Sequence, residues 1–191
     1  MLFIPQIIPD IFVIEPDTYG DDRGYFIETF RHDKFESAIG YTVDFIQDNE
    51  SKSSKGVLRG LHFQIAPHAQ SKLVRVIEGR VLDVAVDIRQ GSPTFGQHIA
   101  VELSGDNKKQ MFIPRGFAHG FVVLTESAIF AYKVDNYYSP ECERGIAFDD
   151  ENLQINWQLS KEELLLSKKD IVQPLLSELD VCFDMKYNYY D

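Results

Sequence analysis

The sequence predicts an all-β sandwich or barrel, on three observations. Apolar residues alternate at period two, clusters of turn-forming residues separate the alternating runs, and helix signals are few. In Val81-Leu82-Asp83-Val84-Ala85-Val86-Asp87-Ile88, the residues Leu82, Val84, Val86 and Ile88 share one face. Ile99, Val101 and Leu103 repeat the pattern. Successive strand side chains point to opposite faces, so each run reads as a strand with one buried face. Gly91-Ser92-Pro93, Ser104-Gly105-Asp106-Asn107 and Ser139-Pro140 supply turns between the runs. Many short strands punctuated this way suit two packed sheets or a closed barrel.

Two short helices are expected. Asp33 and Glu36 have the spacing of a capping box, and Gly40 is placed to end that helix. Ser160 and Glu163 form a second box, which predicts a helix to about Leu166. No internal repeat, low-complexity tract or linker interrupts the chain. One domain over residues 1–191, with a small helical C-terminal part, is the economical reading.

Composition narrows the function classes. With 44% hydrophobic and 26% charged residues the chain reads as soluble and globular. Its 19 basic and 30 acidic residues give a net charge of −11, which argues against non-specific binding of nucleic acid. An anionic small ligand stays compatible, because a few arginines in a cleft set the local field. Cys142 and Cys182 form no close metal-type pair, so free thiols in a reducing cytoplasm are expected. The apolar N-terminus lacks a basic leader and is broken by Pro5, Pro9 and Asp10, unlike a signal peptide. No apolar run approaches the ~20 residues of a membrane span.

Several residues have chemistry to offer. On a strand through residues 60–65, His62 shares a face with Gly60 and Gln64, while Leu61, Phe63 and Ile65 point away. A polar stripe on a buried strand suggests a pocket lining. Free imidazole titrates near ~6.5, so a histidine oriented by a carboxylate is a base matched to neutral pH. Lys72 opens a strand on the side of Val74 and Val76, where an ammonium is costly unless it meets a counter-charge. Tyr132 shares its face with Phe130 and Val134. Taken singly, each has an ordinary reading. His62 could be a hydrogen-bonded core histidine, Lys72 a strand-end lysine reaching solvent, Tyr132 core packing, and Asp170 a surface residue.

The motifs change that balance. RGLHFQ, SKLVRVIEGRVLDVAVDIRQGSPTFG, IPRGFAHGF, AYKVDNYYSPECERGIAFDD and LSKKD occur in that order. From about Phe12 to about Asp170 the chain resembles the dTDP-4-dehydrorhamnose 3,5-epimerases. The resemblance implies a cupin-type jelly roll, a homodimer, no cofactor, and a dTDP-4-keto-6-deoxysugar substrate. It makes His62 the base that removes protons beside the ketone, Asp170 its orienter, Lys72 the partner of the enolate, and Tyr132 the proton donor on the opposite face. It places Arg23, Glu28, Gln47, Asn49, Arg59, His119, Glu143 and Lys168 on the nucleotide-sugar. Arg23 and Arg59 suit a diphosphate, because guanidinium offers paired donors to phosphate oxygens. Phe26 and Tyr138 are candidates to stack on thymine or sugar. The family commonly has proline where Gln158 follows Trp157. Relatives that invert only C3 or only C5 would use the same four central residues.

Two other classes were weighed. Pro114-x-Gly116-x-x-His119 is similar to part of a cupin metal motif, which would make the chain a metal-dependent oxygenase or isomerase. The companion motif of that class needs His-x-His followed by Glu, whereas this chain has His62-Phe63-Gln64 and then His68-Ala69. Gln is a poor transition-metal ligand beside imidazole, so no metal is expected. A non-catalytic sugar-binding sandwich would need neither an acid nor a base.

Overall fold

The computed structural model describes residues 1–180 and 182–190. In chain order the elements are β1 (Leu2–Pro5), β2 (Phe12–Glu15), β3 (Thr18–Asp21), β4 (Gly24–Ile27) and helix α1 (His32–Ile39). Then come β5 (Gln47–Ser54), β6 (Leu58–Gln64), β7 (Lys72–Glu78), β8 (Arg80–Asp87), β9 (Arg89–Gln90) and β10 (His98–Ser104). β11 (Gln110–Ile113), β12 (Phe117–Val123), β13 (Ser127–Val134), β14 (Glu143–Gly145) and β15 (Phe183–Asp184) complete the strands.

Among the described residues, a six-stranded sheet in the order β1-β2-β11-β7-β13-β5 faces a five-stranded sheet in the order β10-β8-β12-β6-β14. Neighbours in both sheets are antiparallel. This is the all-β, cupin-type sandwich that was expected. Val74, Val76 and Phe130 from the first sheet meet Val81, Ala85 and Phe121 from the second in the central core. Burying such side chains contributes ~1.5–3 kcal/mol each.

β8 corrects the expectation of one buried face. Leu82, Val84 and Val86 do share a face, but it points outward, where Ile146, Phe148, Leu153 and Trp157 cover it. The other face, with Val81, Asp83 and Ala85, turns into the sandwich, and the strand is buried on both sides. The edge strand β10 keeps the predicted pattern, with Ile99 and Leu103 buried and Ala100 and Glu102 exposed.

The helix expectations divide. α1 forms and ends at Gly40, whose φ of 87° is left-handed and whose N–H donates to Glu36 O. The Asp33 box does not form: Arg31 occupies the cap position, and its guanidinium binds Asp33 at 2.7 Å instead. α1 covers the outer face of the six-stranded sheet through Phe35, which meets Phe112 edge-on at 4.9 Å. The Ser160 box does form, with Ser160 N donating to Glu163 at 3.0 Å, but it opens a single 3-10 turn, Lys161–Glu163. Leu164 is already extended, so no α-helix reaches Leu166. The C-terminal part is a train of 3-10 turns that includes Asp170–Val172 and Leu176–Glu178.

Gln158 has φ 63°, and its N–H donates to Asn156 Oδ1 at 3.0 Å. A proline could take up neither that backbone angle nor that bond. The departure is local, because the neighbouring Trp157 is buried and donates to Phe148 O at 2.9 Å. Both cysteines are free thiols. Among the described residues, no helix is long and apolar enough to cross a membrane.

Candidate active site

A cavity of about 610 Å³ opens between the sheets, and His62, Lys72, His119, Tyr132, Glu143 and Asp170 all line it. A bulge shapes its wall. His119 pairs with His62, but two residues on Phe121 pairs with Arg59, so β6 carries one extra residue there. Arg59 and His62, three apart, therefore both reach the cavity. The bulge needs glycine: Gly60 has φ 140°, and a Cβ on it would lie 2.4 Å from Gly120 Cα.

Asp170 lies far from His62 in sequence but touches it. His62 Nε2 is 2.6 Å from Asp170 Oδ1, and Ser167 Oγ donates to Oδ2 at 2.7 Å. The 3-10 turn at Asp170–Val172 turns this carboxylate inward, leaving it 3% exposed. Burial pushes the Asp170 carboxyl up, but the bonds from His62 and Ser167 outweigh it and hold its pKa below the ordinary value. An ionised acceptor at Nε2 assigns the proton there and leaves Nδ1 with the lone pair of a base.

Lys72 opens β7 on the opposite wall, with Nζ 3.4 Å from His62 O. Burial lowers its pKa to about 8, against the pull of Asp83 and Glu143. Beneath it, His119 Nε2 sits 3.0 Å from Asp83 Oδ2. Burial pushes the Asp83 carboxyl up and the His119 imidazole down, and their mutual attraction opposes both shifts. Asp83 escaped the sequence reading because strand alternation put it opposite the apolar stripe, the side taken for solvent.

Tyr132 comes from β13, also on the six-stranded sheet, and packs beside Phe130. Burial raises its phenol pKa, with the Arg59 charge opposing, so the hydroxyl keeps its proton at neutral pH. Arg59 donates from Nε and Nη2 to Ser53 Oγ at 3.2 Å. At the mouth, Tyr138 Oη donates to Glu143 Oε2 at 2.8 Å, and Lys169 pairs with Glu143. Lys168, the cation the resemblance indicated, is exposed and outside the lining, while its neighbour Lys169 belongs to it.

Besides Lys168, five expected substrate contacts lie outside the lining. Arg23 pairs with Asp21 in the β3–β4 turn, and Phe26 on β4 is 68% exposed. Glu28 accepts from Lys34 at 3.1 Å. On the edge strand β5, Gln47 donates to Asn49 at 2.8 Å on the inward face that Asn49 shares with its pair Tyr132, but neither lines the cavity. Among the described residues, no three His, Cys, Asp or Glu side chains cluster as a metal site.

His62 thus stands on one sheet, and Lys72 and Tyr132 on the facing one, with the cavity between. A carbon acid held there would have a base on one side and a phenol on the other.

Known proteins agree with that chemistry. A curated relative, the dTDP-4-dehydrorhamnose 3,5-epimerase of Shigella flexneri, is 55% identical over 171 residues, which cover 90% of this chain and 93% of that protein. The crystal structure of the Legionella pneumophila dTDP-6-deoxy-D-glucose-3,5-epimerase in complex with dTDP-4-keto-L-rhamnose is 49% identical. It superposes with a TM-score of 0.93, covering 97% of this chain and 99% of that one. A 3′-monoepimerase from Streptomyces bikiniensis in complex with dTDP-quinovose is 33% identical at a TM-score of 0.84, covering 91% of this chain and 87% of that one. The family model described as dTDP-4-dehydrorhamnose 3,5-epimerase matches residues 5–178, and with relatives this similar over nearly their whole length, the chain belongs to that family.

Proposed function

We propose that this chain inverts dTDP-4-dehydro-6-deoxy-D-glucose at C3 and C5, giving dTDP-4-dehydro-L-rhamnose, a step in dTDP-L-rhamnose biosynthesis. The observation that carries the reading is the placement of His62, bonded to Asp170, on one sheet and of Tyr132 on the facing sheet of one cavity. The C4 ketone acidifies the hydrogens on C3 and C5. His62 takes one of them, and the electron pair moves onto the ketone oxygen as an enolate. The Lys72 ammonium stabilises that oxygen. The enolate pair then takes the Tyr132 proton at carbon, from the opposite side, and the centre inverts. Return of the same proton by His62 would retain configuration. The second centre repeats the cycle after the ring has moved and water has taken the proton from His62 and returned one to Tyr132. Arg59, Glu143, Tyr138 and the Lys168–Lys169 segment hold the nucleotide at the mouth, and the buried His119 contacts the sugar deeper in the cavity.

The chain acts as a homodimer in this reading. The β3–β4 hairpin pairs with neither main sheet and exposes Tyr19, Tyr25 and Phe26, which suits cover by a second copy. Arg23 on that hairpin would then serve a partner's cavity, while Gln47 and Asn49, on the same face of β5 as Ser51, extend their own chain's cavity. Two free thiols suit a reducing cytoplasm.

Proton NMR of the substrate with this protein in heavy water tests the reaction. Deuterium at both C3 and C5, with appearance of the L-rhamno product, is expected. Exchange and inversion at one centre alone would make it a monoepimerase, and no exchange with ligand bound would refute the catalytic reading.

A further inference from the structure

Gln64 ends β6 two residues after His62, is 4% exposed, and has its whole amide in use. Nε2 donates to His68 O at 2.6 Å and to Tyr137 O at 3.2 Å, while Oε1 accepts from Ser139 N at 2.7 Å. These partners belong to two separate loops, one between β6 and β7 and one between β13 and β14. The loops are stitched again where Gln70 donates to Asn136 O at 2.7 Å and Asn136 donates to Pro67 O at 3.1 Å. Gln64 also lies opposite Glu143 in the β6–β14 register. Tyr138 sits between two of the residues that Gln64 holds, with its ring 57% exposed and its hydroxyl on Glu143.

We propose that Gln64 is a positioning residue that fixes the backbone on both sides of Tyr138, so that the ring stands ready at the cavity mouth for the nucleobase. The inference rests on the nucleotide-sugar reading above and deepens it. A ring held on fixed backbone loses less freedom when the base arrives, so the gain falls on nucleotide affinity and not on proton transfer. At the position where metal-binding cupins place a ligand, this chain spends its side chain on loop geometry.

Calorimetric titration with dTDP of full-length Gln64→Met, Tyr138→Ala and the double variant tests this. Gln64→Met removes all three bonds at similar volume. Its dTDP dissociation constant should rise about tenfold, the scale of a lost buried hydrogen bond. The rate at saturating sugar nucleotide should fall less than about threefold. In the Tyr138→Ala background the same change should shift the dissociation constant less than about twofold, because its effect acts through Tyr138. Gln64→Leu removes the same three bonds and should match Gln64→Met; it carries the same cycle if the Met variant does not fold. An unchanged dissociation constant in a folded Gln64 variant, or an equal loss in both backgrounds, would overturn the proposal. Wild-type protein that does not bind dTDP would instead overturn the nucleotide reading, and the proposal with it.

Discussion

The cavity between the sheets and the rim formed by the β3–β4 hairpin are built in opposite ways. In the cavity, Asp170 and His119 are buried and hydrogen-bonded before any ligand arrives. On the rim, Arg23 and Phe26 are exposed, and among the described residues Arg23 is paired only with its neighbour Asp21. Acid–base chemistry needs groups whose orientation and pKa are set in advance, which burial supplies. Recognition by a rim can wait for a second surface to cover it. In the proposed function, the cavity carries the acid–base groups and the rim waits for a second copy to complete the nucleotide cradle.

The largest effect should come from the cavity. His62→Ala is expected to lower turnover by about 10³-fold or more, within reach of a general base and its proton path, while dTDP affinity stays within about twofold. Normal turnover would remove His62 from the mechanism. The rim predicts a restoration. Arg23→Ala should bind substrate poorly, yet co-refolded with His62→Ala it should yield mixed dimers with one intact pocket. Random pairing gives about a quarter of wild-type activity; a mixture no more active than its separate components would refute the shared site.

A smaller effect is read on the pH profile. Burial holds Lys72 to about 8, below the ordinary lysine value. In the proposed mechanism its ammonium would stabilise the enolate only while protonated, so that contribution would be complete below pH 8 and lost as pH rises through it. An alkaline limb near pH 8 is expected, and Lys72→Arg should move it upward at a lower overall rate. A limb that stays in place would assign the titration to another group.

The contrast also separates what the sequence made legible. The strands, the Gly40 stop and the Ser160 box could be read, because periodicity and capping are local. The His62–Asp170 contact spans most of the chain, and only the motif resemblance pointed to it. Asp83 was hidden because the C-terminal segment covers the outer face of β8, which turns the apparent solvent side of the strand inward. Choosing Lys169 over Lys168 depends on a 3-10 turn that no pattern in LSKKD announces. The Asp33 box failed because Arg31 offered Asp33 a charged partner in place of a backbone N–H.

Opposed walls make one claim above the others: removal and return of the proton are divided between His62 and Tyr132. Deuterium wash-in by Tyr132→Phe, followed by NMR at C3 and C5 in heavy water, measures that division directly. The account predicts that Tyr132→Phe incorporates deuterium with the starting configuration kept. Inversion at the wild-type rate, or loss of exchange together with inversion in a folded protein that binds dTDP, would contradict it.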